Sequence, residues 1–310
     1  MRDWVEAVKD VARGQFLRGE PMSRHTSFKI GGPAELFFVP AGRDDFIAAA
    51  RRLQADRLPL TVIGNGTNVL VADAGIRGLV VRLKDGFDHV KVVGEEGDRV
   101  FLEAGAGAAL GKLHLFASRK GFIGTEFTFG IPGTIGGAVT GNAGTRLGDM
   151  KGIVTELEIL ARGGKPQWIG AAQARFRYRG CTLPEGAVVL AVRLRLIAGG
   201  KDVAMTDQRE LKAYRAKAQP WGLPSAGSVF KNPEGDFAGR LIDAAGLKGL
   251  RLGDAEVSPL HANFIVNRGK ARAADVKRLM EIVEAEVART QGVGLEPEIK
   301  LIGQFEKEAV

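Results

Sequence analysis

Cysteine is almost absent from this 310-residue chain: Cys181 stands alone. A lone thiol excludes an intramolecular disulfide and any cysteine-based structural zinc site. Histidine is nearly as scarce. His25, His89, His114 and His261 stand apart, with no H-E-x-x-H or H-x-H arrangement, which argues against a metal enzyme. No apolar stretch approaches the ~20 residues that span a bilayer. The uncharged run from Phe127 to Thr145 is too rich in Gly, Thr and Pro to serve. The opening Met1-Arg2-Asp3-Trp4 begins a charged amphipathic segment without a secretory apolar core, so a cytoplasmic location is expected. The net charge is +8, yet no Lys/Arg block exists to form the basic stripe that nucleic acid requires. A G-x-x-x-x-G-K-[ST] run is also missing, which excludes a P-loop ATPase.

What the chain does have is ordinary hydrophobic content, 45%, and an excess of glycine, 43 residues. That is roughly twice average usage. Without a collagen period, these glycines must serve turns and close backbone approaches. The length suggests two domains or three small ones.

Along the chain, the first twenty or so residues read as helix, followed by a turn-bounded strand over 26–33. Residues 44–55 read as a helix with Asp44 as N-cap and Phe46, Ile47, Ala50 and Leu53 on one face. Strands are expected at 60–63, 69–72, 79–83, 98–103, 153–160 and 187–196, and a helix over 108–120. A polar linker helix is expected over 206–218, and a further helix near 237–245. Residues 272–290 carry Val276, Leu279, Met280, Val283 and Val287 at helical spacing, and a closing strand covers 298–302.

Two glycine segments attract attention. Gly64-Asn65-Gly66-Thr67-Asn68 begins like a dinucleotide fingerprint, but it lacks the third glycine and runs into a strand instead of a helix. It can be a plain hairpin turn, the simpler reading, or a concave nest of backbone N–H groups for an anion. Gly130-Ile131-Pro132-Gly133-Thr134-Ile135-Gly136-Gly137-Ala138-Val139-Thr140-Gly141-Asn142-Ala143-Gly144 carries no charge and few large side chains. Such a stretch either packs as a small-residue helix or lets a flat, phosphorylated ligand lie on the main chain. The pair of segments favours an extended dinucleotide such as FAD.

At this point the sequence resembles the UDP-N-acetylenolpyruvoylglucosamine reductase family of bacterial cell-wall synthesis. Six segments carry the resemblance, in order: Thr26–Gly32, Gly64–Leu70, Gly130–Ala138, Gly227-Ser228-Val229-Phe230-Lys231-Asn232-Pro233, His261-Ala262-Asn263-Phe264-Ile265-Val266-Asn267 and Glu296–Gly303. The resemblance implies an α+β fold: an FAD-binding fold of the vanillyl-alcohol-oxidase type in two subdomains, with a C-terminal α+β substrate domain closing over the substrate. It places subdomains at 1–83 and 84–205, the substrate domain at 206–296 and a returning strand at 297–310. It implies FAD and NADPH as cofactors, a UDP-sugar substrate, no nucleic-acid or membrane partner, no metal, and a monomer.

The implied reaction passes a hydride from flavin N5 to an enolpyruvyl methylene carbon, so an enolate must be stabilised and its α-carbon protonated. The resemblance assigns the proton to Ser228, the substrate carboxylate to Arg179 and enolate stabilisation to Arg179 and Glu298. A guanidinium suits the carboxylate because it is always charged and bidentate. FAD contacts are implied at Ile63, Gly64, Asn65, Gly66, Thr67, Asn68, Val69, Gly130, Ile131, Pro132, Gly133, Gly136, Gly137, Ala138 and Asn142. Tyr178, Lys217, Gln219 and Asn232 are implied in substrate binding, with Lys29 a further candidate for phosphate. Read without the resemblance, each has a plain alternative: Ser228 in a turn, the alternating Arg175, Arg177 and Arg179 pointing outward, Glu298 on a surface strand, His261 as a hydrogen-bonded core histidine.

Four positions depart from the family pattern: His25 for Asn, Asp254 for a second Gly, Gly180-Cys181 near Arg179 in place of a serine, and Lys300 for Arg. No long aromatic insertion separates Arg179 from Ser228, which resembles the family's second type, lacking the tyrosine loop. Gln219 or Trp221 would then cover the nucleotide. Two other readings compete: an FAD-dependent sugar or alcohol oxidase of the same fold, opposed by the lack of histidine in either glycine loop, and a basic nucleic-acid-binding module supported by charge alone.

Overall fold

Apolar residues at helical and strand spacing set the elements of this protein, whose computed structural model describes residues 4–162, 165–200 and 217–305. In chain order these are α1 (Trp4–Lys9), β1 (Gly14–Pro21), β2 (Pro33–Pro40), α2 (Arg43–Ala55), β3 (Leu60–Ile63), β4 (Val69–Val71), β5 (Ile76–Arg82), β6 (Val90–Glu96), β7 (Arg99–Gly105), α3 (Leu110–Lys120), β8 (Phe122–Ile123), α4 (Ile135–Thr140), β9 (Gly144–Thr145) and β10 (Gly148–Asp149). There follow α5 (Met150–Ile153), β11 (Val154–Leu160), β12 (Pro166–Gly170), β13 (Val188–Ala198), β14 (Ser225–Ser228), α6 (Ala238–Ala244), β15 (Arg251–Leu252), β16 (Ala255–Val257), β17 (Phe264–Asn267), α7 (Ala273–Gln291) and β18 (Lys300–Ile302). Among the described residues no helix is long and apolar enough to cross a membrane.

The chain divides into two units. The first comprises Met1–Leu17, Leu36–Gly64 and Gly78–Lys212; the second comprises Arg18–Glu35, Asn65–Arg77 and Ala213–Val310.

The core of the first unit gathers Phe38, Phe46, Leu53, Leu79, Leu102, Leu113, Leu157 and Leu194, all fully buried. In α2 the face Phe46, Ala49, Ala50, Leu53 is buried, as helical periodicity requires. Its cap is Gly42, and Asp44 falls instead in the first turn, where a carboxylate favours the helix dipole. Two sheets build this unit: one in the order β1-β2-β5-β3, the other β12-β11-β13-β7-β6 with β8 added to β13. The second sheet is antiparallel, and one face carries alternating charge. Lys91 lies opposite Glu103, Glu103 opposite Arg193, and Arg193 opposite Glu156. Ion pairs of 2.9 Å (Lys91–Glu103) and 2.8 Å (Arg193–Glu156) follow, and the Arg193 guanidinium lies 4.3 Å from the Trp168 ring centroid. Opposite charges directly across strands reinforce the register.

The second unit has its own core: Phe28, Ile30, Leu70, Val229, Phe230, Leu241, Val257, Ile265, Leu279 and Val283. An antiparallel sheet runs β14-β17-β16-β15, and α7 packs on it through the periodic stripe Val276, Leu279, Met280, Val283, Val287. β18 pairs in parallel with β4, Lys300 opposite Val69.

Several local expectations change. The first twenty residues are not one helix; α1 stops at Lys9 and β1 takes over at Gly14. Residues 26–32 form a turn and not a strand: the Thr26 hydroxyl donates to the Ile30 carbonyl (2.9 Å), and Lys29 adopts φ 57°. The Gly64–Asn68 loop is no hairpin, because β3 pairs with β5 and β4 with β18. The expected linker helix over 206–218 falls mostly outside the described residues.

Candidate active site

In the first unit the two glycine segments meet. A Cβ on Gly64 would lie 2.2 Å from Thr134 Oγ1, closer than any real side chain allows. Gly136 is equally pressed, its absent Cβ falling 2.9 Å from that of Ala106. Gly130 and Gly133 turn the loop with φ of 69° and 127°, values that only glycine adopts freely. The loop then enters α4, whose N-cap Thr134 accepts from the Gly137 N–H. The long glycine segment thus begins as a glycine loop and continues as the small-residue helix α4. Ile63 ends β3 at the edge of this region.

The second unit holds the rest of the first loop. Gly66 has φ 62° and its absent Cβ would lie 2.1 Å from the His25 carbonyl oxygen, so Asn65–Asn68 lies tightly on the 25–27 turn. The Ser27 N–H donates to the Gly66 carbonyl (3.0 Å). Asn68 joins the loop to the C-terminal segment: its Nδ2 donates to the Glu298 carbonyl (3.2 Å), and its own carbonyl accepts the Lys300 N–H (3.0 Å).

These uncharged, side-chain-poor stretches leave part of their main chain accessible. That is the donor set a flat heteroaromatic diphosphate such as FAD uses: backbone groups, with no cation required. The residues present fit that group. At Gly64, Gly66 and Gly136 neighbouring protein atoms occupy the space a side chain would need.

Ser228 and Glu298 also come together in the second unit. The Glu298 N–H donates to the carbonyl of Val229 at 2.7 Å, one residue after Ser228. Lys231 N–H donates to the Glu296 carbonyl (2.8 Å), and Phe230 bridges Pro297. The two motifs therefore lie side by side as an antiparallel pair, with Ser228 and Glu298 both half-buried. The neighbours of Ser228 are already engaged. The Lys231 ammonium pairs with Glu296, and the Asn232 side-chain Oδ1 accepts the Ala238 N–H (3.0 Å) at the start of α6. Gln219 accepts the Trp221 N–H through its main-chain carbonyl (2.8 Å); Lys217 and Trp221 are exposed.

Arg179 belongs to the first unit. The alternating pattern around it does not make a strand. Arg175 and Arg179 both adopt left-handed φ, 41° and 57°, and Arg177 and Gly180 exchange backbone hydrogen bonds of 2.9 and 3.2 Å around a tight turn. Backbone strain of this kind costs of order 1–3 kcal/mol and concentrates at functional positions. Arg179 Nη1 donates to the Gly144 carbonyl (2.9 Å), and its guanidinium carbon lies 5.3 Å from the exposed Tyr178 ring. Asn142 anchors the turn: its buried amide donates to the Arg177 carbonyl (3.1 Å) and Asp149 (3.0 Å) and accepts from Lys151 N–H (2.9 Å).

Two supporting residues escaped sequence reasoning: Asp73 and the buried Asn263 each bond backbone groups far away in the chain. For Asn263 the available signal was an amide inside an apolar segment, since a buried polar group requires partners. Asn267, at the end of β17, closes a turn, accepting from Gly269 and Ala271 N–H, and also donates to the Phe28 carbonyl (3.1 Å). His261 accepts the Asn263 N–H (3.2 Å) and packs on Phe264; burial, aided by Lys248, pushes its pKa below the ordinary value. The departure at Asp254 is absorbed locally, where its carboxylate accepts the Lys270 N–H (2.8 Å). His25 Nε2 lies 3.0 Å from Glu20. Cys181 is half-buried and packs on the core of the first unit.

Known proteins match over the whole of this arrangement. A family model described as the C-terminal domain of UDP-N-acetylenolpyruvoylglucosamine reductase covers residues 219–302, and an FAD binding domain model covers 34–170. The reductase of that name from Anaeromyxobacter sp. (strain Fw109-5) is 43% identical over 99% of this chain and 94% of its own. The one from Heliobacterium modesticaldum is 45% identical over 94% of this chain and 92% of its own. The crystal structure of the reductase from Thermus caldophilus superposes with a TM-score of 0.79 at 36% identity, over 94% of this chain and all of that one. With the α+β FAD-binding fold in place and the motifs in register, the chain belongs to the UDP-N-acetylenolpyruvoylglucosamine reductase family.

Proposed function

We propose that this protein reduces UDP-N-acetylglucosamine enolpyruvate to UDP-N-acetylmuramate for peptidoglycan precursor synthesis, with Ser228 delivering the proton and Arg179 and Glu298 stabilising the enolate. The activity follows from family membership, which supports it over the oxidase and nucleic-acid readings. FAD, when bound, supplies the two-electron chemistry, taking a hydride from NADPH and giving one to the enolpyruvyl methylene carbon.

The chain's residues do the remaining work. A fixed guanidinium at 179 pairs the substrate carboxylate and becomes more valuable as negative charge spreads into it. The Ser228 hydroxyl protonates the α-carbon, and the Glu298 carboxyl faces the same charge and must be protonated or held by a cation to help. Ile63–Val69, Gly130–Gly133, Gly136–Ala138 and Asn142 hold the cofactor, and Tyr178, Lys217, Gln219 and Asn232 the UDP-sugar. Both nucleotides are anionic, so a net charge of +8 raises their encounter rate. Their supply inside the cell supports a cytoplasmic location.

The observation that carries the catalytic assignment is the 2.7 Å hydrogen bond from Glu298 N–H to the Val229 carbonyl, which sets residue 298 against the Ser228 segment. Stopped-flow absorbance of the flavin band tests it. Ser228→Ala should keep its rate of bleaching by NADPH and lose about 10²–10⁴-fold in recovery with the enolpyruvyl sugar. Equal loss in both half-reactions would contradict the role.

A further inference from the structure

We propose that Asn263 is a positioning residue for Ser228, an inference that rests on the proton-donor reading of Ser228. The regular ladder between β14 and β17 lapses just before the serine. Ser225 pairs with Val266 and Ser228 with Phe264, with an irregularity between them, and Gly227 adopts φ 78°. A strand that loses its ladder needs another source of register. Asn263 supplies it. Its side chain is 4% exposed, and both of its polar ends go to one residue: Oδ1 accepts the Phe230 N–H (2.9 Å) and Nδ2 donates to the Phe230 carbonyl (2.8 Å). Its main-chain carbonyl takes the Val229 N–H (2.9 Å).

The other side of Val229 is fixed by Glu298, whose N–H donates to the Val229 carbonyl. The two residues after Ser228 are thus clamped between Asn263 and the C-terminal segment. Only a primary amide offers a donor and an acceptor at this spacing, and asparagine is the shorter of the two side chains that carry one. Asn263 is itself held by the His261 ring through its N–H. Its amide touches no substrate; it acts by holding the serine hydroxyl within the range of about 2.6–3.2 Å that proton transfer requires.

Half-reaction kinetics of the flavin-loaded full chain test this with Asn263→Asp, Ser228→Ala and the double variant. Asn263→Asp retains size and acceptor but loses the donation to Phe230. Its reduction by NADPH should match wild type, while reoxidation by the enolpyruvyl sugar slows about 10²-fold. The double variant should be no slower than Ser228→Ala alone, because residues acting as a unit are non-additive. Multiplicative losses, or equal slowing of both half-reactions, would overturn the inference.

Should Asn263→Asp fail to retain flavin, the milder Asn263→Gln decides. A solvent deuterium isotope effect on its reoxidation larger than wild type supports the inference, and an unchanged one refutes it. A Ser228→Ala variant with normal reoxidation would instead sink the proton-donor reading itself, and the inference with it.

Discussion

The α-carbon of Gly64 faces the hydroxyl of Thr134, so that a methyl group at position 64 would come within 2.2 Å of Thr134 Oγ1. Two segments seventy positions apart are thereby locked at the place where the first glycine loop begins and the second becomes a helix. Thr134 cannot simply rotate away, because its Cβ and Cγ2 would each lie 3.2 Å from the new atom and its oxygen caps α4.

Gly64→Ala should therefore cost about 1–3 kcal/mol of stability through overpacking and lower the flavin-to-protein absorbance ratio of the purified protein. Gly111→Ala provides the contrast. It lies in α3 with open space around its missing Cβ, and alanine there should raise stability by about 0.5–1 kcal/mol in thermal or denaturant melts.

Asp73 caps α7 from a turn 200 residues away, accepting the Ala273 N–H at Oδ1 (2.9 Å) and the Ala274 N–H at Oδ2 (3.0 Å). Asp73→Ala should cost about 0.5–2 kcal/mol, and Asp73→Asn less, since it keeps one acceptor at the positive helix end. Denaturant midpoints of the two variants check the order.

Asn142 sits buried with left-handed φ 41° and three side-chain hydrogen bonds. Asn142→Asp places a carboxylate against that of Asp149 and strips the donor from the Arg177 carbonyl. Losing those partners should cost about 1–3 kcal/mol. Because the same bond holds the turn carrying Arg179, the KM for the enolpyruvyl sugar should rise in steady-state assays.

His261 carries a pH signature. Burial lowers its folded-state pKa beneath the ordinary 6.5. Above pH 6.5 the ring is neutral in both states and its contribution is intact. As pH falls from 6.5 toward the lowered value, the unfolded chain binds a proton that the folded one refuses, and stability drops. The melting temperature should decline over this interval, and His261→Gln should flatten that decline. An identical pH profile in the variant would refute the assignment.

Long periodic elements were legible in the sequence: the stripe of α7 and the face of α2 follow from side-chain spacing alone. β1 was not, because it is an edge strand whose burial follows no two-residue alternation. The 26–32 turn reads as a strand by composition, and only the Thr26–Ile30 bond and the left-handed Lys29 reveal otherwise. The Gly64–Asn68 loop was legible as a loop, but its partners were not, since pairing of β4 with β18 leaves no local signal. For the site, Ser228 and Glu298 were named through family motifs, whereas the amide of Asn263 that clamps the serine segment sits in the turn just before β17, inside an otherwise apolar segment.

Asn68 and Glu298, joined by a hydrogen bond, stand 230 residues apart. A ribosome adding about 5–20 residues per second delivers the second segment roughly 10–50 s after the first. Throughout that interval the Asn65–Asn68 stretch has emerged without its anchor. A message broken or a translation halted before codon 298 therefore yields a polypeptide that has nearly all of its glycine-rich sequence and none of the strand that secures it. The Asn68–Glu298 bond therefore forms only on a chain synthesised past residue 298.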